Sequence, residues 1–199
     1  MVRLRVDESI SDDDSAEVWP VYQSVFGDYA DYPTWRREVW DRHRARAGFR
    51  LARAYDADDL VGLAYGYTGE RGQWWTDNAS IALGPSVAEA WLGGHFELVS
   101  IGVIDAVRGT GIGRGLLAAI VDGLAHERLL LMTSSDPADP ARRLYASEGW
   151  QVLGPGIGKA TVIMARRNVA EPTNRPDARK RETTSTVTNP ATTLRSSSV

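Results

Sequence analysis

The sequence predicts an α/β domain built on a mixed, mostly antiparallel central sheet flanked by helices. Three observations carry that reading. Residues 49–55 and 60–68 are strand-like runs joined by the short polar link Asp56-Ala57-Asp58-Asp59, the pattern of an antiparallel hairpin. Residues 129–132 form a continuous apolar run, as expected of a buried strand with a parallel neighbour. Between them, a helical pattern at 111–126 puts Ile112, Leu116, Leu117, Ile120 and Leu124 on one face.

In chain order, Val2, Leu4 and Val6 alternate with polar residues and form a first strand. Asp12-Asp13-Asp14 opens a helix carrying Val18, Val21, Tyr22 and Val25. Acidic residues suit a helix start, and Asp14 with Glu17 has capping-box spacing. A second helix begins at Pro33, carries Trp35, Val39 and Trp40, and ends by Gly48. After the hairpin, residues 69–93 lack a strong period and read as a long loop, with a short helix at 85–91. Residues 96–103 are a strand leading to the helix at 111–126. Past the apolar strand, Asp139 caps a helix with Pro140 in its first turn and Gly149 after its end. Residues 151–153 and 160–164 are final strands joined by the glycine-rich link 154–158.

Composition narrows the function. The 199 residues suit one domain plus a tail, and 43% hydrophobic with 25% charged residues is an ordinary globular balance. Residues 1–167 make the domain. Residues 168–199 are rich in Ser, Thr, Pro and Arg and read as a disordered tail. Its basic cluster, Arg179-Lys180-Arg181, is diluted by Asp177 and Glu182. Cysteine is absent, which excludes disulfides, thiolate metal ligands and cysteine nucleophiles, and fits a reducing, cytoplasmic setting. With 26 acidic and 23 basic residues the net charge is −3, so no global basic field draws the chain to nucleic acid or an anionic membrane. No apolar run approaches the roughly 18 residues needed to span a bilayer. His43, His95 and His126 share no metal-ligand spacing, so no metal is expected.

The most informative segment is Val103-Ile104-Asp105-Ala106-Val107-Arg108-Gly109-Thr110-Gly111-Ile112-Gly113-Arg114-Gly115. It joins a strand to a helix. Closely spaced glycines let backbone amides turn toward one point, and a helix start adds positive potential, which together suit a pyrophosphate. The dinucleotide fingerprint Gly-x-Gly-x-x-Gly fails, because its last position falls on Arg114 or Leu116. The nucleotide P-loop fails too: Gly158-Lys159 is followed by Ala160 and has Leu153 where the first glycine belongs. The pattern Gln/Arg-x-x-Gly-x-Gly/Ala fits Arg108, Gly111 and Gly113.

With that turn, the sequence resembles the GNAT superfamily of acyl-CoA-dependent N-acetyltransferases. The resemblance spans residues 2–167, and its specific part is 97–150. The family's strand, bulge, turn and helix match Leu98-Val99-Ser100-Ile101-Gly102-Val103 followed by the glycine turn. A second element, an apolar strand then Ala-x-x-Leu-Tyr-x-x-x-Gly-Trp, matches 129–132 and Ala141-Arg142-Arg143-Leu144-Tyr145-Ala146-Ser147-Glu148-Gly149-Trp150. Two departures stand out. Asp105 occupies a position where the family often has Pro, and Ala138 one where it often has Asn, which removes a hydrogen bond to the cofactor.

The resemblance implies acetyl-CoA as acyl donor and no metal. It implies that backbone groups of Ile101, Gly102 and Val103 pair with the pantetheine arm, and that Arg108, Gly109, Thr110, Gly111, Ile112, Gly113 and Arg114 hold the pyrophosphate. Tyr145 is the implied general acid for the departing thiolate; by spacing alone it reads as a core tyrosine. Glu97 is the candidate base, with a strand-edge carboxylate in a salt bridge as the other reading; His95 shares its strand face. Asp28, Tyr32, Trp74 and Trp75 fall in regions that the family places near the acceptor, where carboxylates and aromatic faces suit a cationic amine. The implied function is acetyl transfer to a primary amine of a small molecule or a peptide. A non-catalytic acyl-CoA-binding regulatory module is the alternative: it would keep the turn and need neither Tyr145 nor Glu97. Homodimers are common in the family, and Trp91 or the final strands offer a surface for one.

Overall fold

The computed structural model describes residues 2–168; Met1 and residues 169–199, which hold nearly all of the expected tail, lie outside the described residues. Strands β1 (Val2–Asp7), β2 (Arg50–Asp56), β3 (Asp59–Gly69), β4 (His95–Val103), β5 (Arg128–Ser134), β6 (Gln151–Pro155) and β7 (Thr161–Arg167) form one sheet in the order β1-β2-β3-β4-β5-β7-β6. Every neighbouring pair is antiparallel except β4 and β5. The mixed, mostly antiparallel sheet is as the sequence predicts.

Helix α1 (Asp12–Val25) starts on a capping box, but not the expected one. Ser11 accepts from the Asp14 amide at 3.1 Å, and Asp14 accepts from the Ser11 amide at 2.9 Å. Glu17 is drawn away by tertiary contacts: it binds the buried Arg53 guanidinium at 2.7 Å and the Tyr55 hydroxyl at 2.9 Å. The second helix is three pieces in line: α2 (Tyr32–Trp35), a π-helical turn (Arg36–Trp40) and α3 (Asp41–Arg44). The wider turn lets residues five apart share a face. Trp35 and Trp40 accordingly stack at 4.6 Å.

Two expectations are corrected. Residues 69–93 are not mainly loop: besides the expected short helix, α5 (Pro85–Trp91), they hold α4 (Trp74–Leu83). These helices bury the small residues Ala79 and Ala88, with Leu92, against Leu130, Ile163 and Ala165 of β5 and β7. A contact face that small leaves only a faint apolar period. Helix α6 (Ile112–Val121) stops at Val121 rather than His126. Asp122 is extended and Gly123 takes φ +68°, so a turn replaces the last expected helical turn. Helix α7 (Pro140–Ser147) begins as predicted, its Asp139 cap accepting from the amides of Ala141 and Arg142.

Strand alternation separates two cores. Ala52, Ala64, Phe96 and Leu98 pack with Leu116, Leu117, Ile120 and Tyr145 on the α6–α7 side. Leu51, Leu63, Tyr65 and Tyr67 pack with Val18, Tyr22, Trp35 and Trp40 on the α1–α3 side. Among the described residues, no helix is long and apolar enough to cross a membrane.

Candidate active site

The site begins where the one parallel pairing stops. Strand β5 pairs with β4 only at Phe96–Leu129 and Glu97–Leu130, whereas β3 follows β4 as far as Val103. From Leu98 onward, the β5-facing edge of β4 has no strand partner among the described residues. Tyr65 pairs with Ser100 and Gly66 with Leu98, so β4 bulges at Val99, beside that edge. A bulge re-aims the strand, and an unpaired edge offers backbone donors and acceptors to an extended ligand.

A cleft of about 450 Å³ opens along this edge. Its wall includes Ile101, Gly102 and Val103 of β4, Arg108, Gly109, Ile112 and Gly113 of the turn, and Leu144 and Tyr145 of α7. Gly111 caps α6 at φ +90° and ψ −3°, a conformation that favours glycine. The first-turn amides of α6 have no partner within the helix and suit an anion. Arg108 serves the turn itself: its Nε donates to the Val103 carbonyl at 3.1 Å and its Nη1 pairs with Asp105 at 2.8 Å. Thr110, Gly111 and Arg114 do not line the cleft. Thr110 donates to the Val107 carbonyl, and Arg114 pairs with Glu148. Val25, Val107, Asp139, Pro140 and Ala141 line the cleft and were not anticipated. Neither the start of α7 nor Val25 carried a signal for this: the first amides of α7 are taken up by the Asp139 cap, and Val25 is brought in only by the packing of α1.

Tyr145 is 6% exposed, packs against Trp150 at 6.2 Å and lines the cleft. Burial raises its pKa, so the phenol stays protonated and able to donate. Glu97 is 3% exposed. Its Oε1 accepts from the Tyr67 hydroxyl at 3.3 Å, while Oε2 has no partner among the described residues. Burial pushes its pKa up to about 7, opposed by the charge of Arg46 and the Tyr67 bond. Phe96 and Leu98 face the α6–α7 core, so Glu97 faces the opposite side. Tyr145 and Glu97 thus lie on opposite faces of the sheet; Glu97 sits at the last paired position of β4 and β5 and, unlike Tyr145, does not line the cleft.

The remaining candidates are elsewhere. His95 is fully buried, its Nδ1 accepts from the Gly93 amide at 3.1 Å, and burial pushes its pKa down to about 3. Such an imidazole is a neutral packing group. Asp28 is exposed and accepts from the Tyr22 hydroxyl at 3.3 Å. Tyr32 packs on Trp19 and Trp35. Trp74 is 66% exposed on α4, and Trp75 lies 5.8 Å from the His95 ring. None of these four lines the cleft. Among the described residues, no group of three or more His, Cys, Asp or Glu could hold a metal ion.

The mixed, mostly antiparallel sheet and the glycine-rich start of α6 agree with the acyltransferase class that the sequence resembles. The model of the acetyltransferase (GNAT) family matches residues 15–150, and the chain belongs to that family. A GCN5-like protein acetyltransferase of Mycobacterium tuberculosis is 28% identical over 160 residues, covering 64% of this chain and 78% of the relative. The ribosomal-protein-S18-alanine N-acetyltransferase of Escherichia coli shares the fold with a TM-score of 0.58 at 16% identity, covering 87% of this chain and 98% of that one. The PaiA N-acetyltransferase of Thermoplasma acidophilum, solved in complex with coenzyme A, shares it with a TM-score of 0.55 at 14% identity, covering 84% and 99%.

Proposed function

We propose that the protein transfers an acetyl group from acetyl-CoA to a primary amine, of a small molecule or a peptide, by direct attack on the thioester. The observation that carries this reading is the unpaired edge of β4, which runs from the split at Glu97 to the glycine turn and is walled by Tyr145. The residues fit the donor. Ile101 and Val103 offer backbone groups to an extended pantetheine arm, and the turn through Gly113 offers amides to the pyrophosphate.

The chemistry needs a neutral amine and a protonated leaving group. Glu97 Oε2 takes a proton from the ammonium, directly or through water, and the freed lone pair forms the C–N bond as the C–S bond breaks. The Tyr145 hydroxyl gives its proton to the departing sulfur and recovers one from the acylated nitrogen through solvent. The net reaction releases one proton. A carboxyl of pKa about 7 is half ionised at neutral pH, so it can take up and release a proton there.

Release of free thiol from acetyl-CoA, measured across a panel of small amines and peptide N-termini, tests the reading. At least one amine should support turnover. Tight acetyl-CoA binding with no turnover on any amine would favour the non-catalytic acyl-CoA-binding module instead.

A further inference from the structure

Glu97 is enclosed by polar side chains that the chemistry above does not use. Tyr67 of β3 is its register partner across the strand pair and is itself buried. The Tyr67 hydroxyl supplies the one hydrogen bond that the carboxylate receives among the described residues. The Arg46 guanidinium lies 4.3 Å from the centre of the Tyr67 ring, and its Nη1 donates to Gln73 Oε1 at 3.4 Å. No carboxylate lies within ion-pair distance of Arg46 among the described residues.

The other groups facing this region carry no charge at neutral pH. From α3, His43 meets the Tyr67 ring edge-on at 5.0 Å, and its Nδ1 lies 3.2 Å from the Tyr65 hydroxyl. Burial pushes its pKa down to about 4. On β4 itself, His95 is neutral for the same reason. Burial raises the pKa of Tyr65, which stays protonated. From β5, the register partner is the apolar Leu130. The field at Glu97 is therefore set by one cation, Arg46, and one donor, Tyr67.

We propose that Tyr67 is a positioning residue for Glu97, its phenol holding Oε1 and leaving Oε2 as the oxygen that takes the acceptor's proton. This rests on the reading of Glu97 as base. In the step, an ammonium N–H bond breaks and an Oε2–H bond forms. The Tyr67 proton stays on Tyr67. A donor to a carboxylate favours the charged form, so Tyr67 also keeps the base ionised at lower pH than burial alone would allow. Arg46, over the face of the ring, acts in the same direction through its charge.

The test combines rate profiles with direct titration of the Glu97 carboxyl by 13C NMR in the full-length protein. Tyr67→Phe keeps the ring and removes the donor. We expect the acid limb of kcat/KM and the NMR midpoint to move up together by about one pH unit. The rate should fall several-fold near pH 7 and recover by pH 9, with the KM for acetyl-CoA unchanged. Arg46→Met should move both readouts the same way, and serves as the second variant should Tyr67→Phe fold poorly. Unchanged midpoints in both variants would overturn the proposal and leave Tyr67 as packing. Glu97→Gln separates the two readings. If it retains the acid limb, the base assignment falls, and the positioning role with it. If it removes the limb while Tyr67→Phe leaves the limb in place, the positioning role alone falls.

Discussion

Val25 of α1 rests on the bare Cα of Gly102: a β-carbon there would overlap Val25 Cγ1 and come within 3.1 Å of Phe26 Cζ. Both Val25 and Gly102 line the cleft. The missing side chain on β4 thus sets how closely the first helix approaches the cleft.

Gly102→Ala should push the end of α1 away from β4. Forcing one methyl into a packed contact costs about 1–3 kcal/mol. Thermal unfolding should show the loss, and the KM for acetyl-CoA should rise several-fold because the cleft wall moves. A variant matching the wild type in both would mean that α1 yields freely and does not shape the cleft.

Gly111→Val tests the turn by a different cause. A β-carbon at Gly111 would meet nothing within 4 Å, so the cost is conformational alone, from φ +90° in a β-branched residue. The variant should fold, with a melting temperature a few degrees lower. Acetyl-CoA should raise the melting temperature of the wild type by mass action and leave the variant unmoved, while NAD and ATP move neither. A retained acetyl-CoA shift would detach the turn from the site.

Much of this was legible because it is local. The hairpin link at Ala57, the Pro140 helix start and the glycine turn each declare themselves within a few residues. Features set by tertiary contact did not. Glu17 has the spacing of a cap residue, yet a buried Arg53 claims it. The π-helical turn is visible only as Trp35 and Trp40 stacked on one face. Helix α4 buries only Thr76 and Ala79, so its period is lost in sequence, whereas α5 declares itself through Pro85. At the site, Glu97 and Tyr145 stood out through motif and strand position. Tyr67 did not, since its partnership with Glu97 is created by strand register.

Tyr145→Phe should separate chemistry from binding. Removing the hydroxyl leaves the ring in its contact with Trp150, so stability should change little. If the phenol protonates the departing thiolate, kcat should fall roughly 10²-fold, within the range of a general acid, with the affinity for acetyl-CoA held. Near-normal turnover would return Tyr145 to the core as a packing residue.

Glu97 should also be visible in stability alone, with no substrate present. Burial holds its pKa at about 7 in the fold, against 4.5 when unperturbed. Between those values the folded protein keeps a proton that the unfolded chain has released. The associated stability is therefore full below about pH 4.5 and is lost as pH rises through 7, amounting to about 3 kcal/mol. His95 acts with the opposite sign: its pKa falls from 6.5 to about 3, so its stability is full above 6.5 and is lost as pH falls toward 3. Urea unfolding of the wild type and Glu97→Gln at pH 5 and pH 8 isolates the first effect, because His95 is common to both proteins. The stability of Glu97→Gln relative to wild type should rise by about 2–3 kcal/mol between the two pH values. A constant difference would mean that Glu97 titrates in the fold as it does in the unfolded chain. It would then be ionised well below neutrality, and burial would not tune it for proton exchange near pH 7.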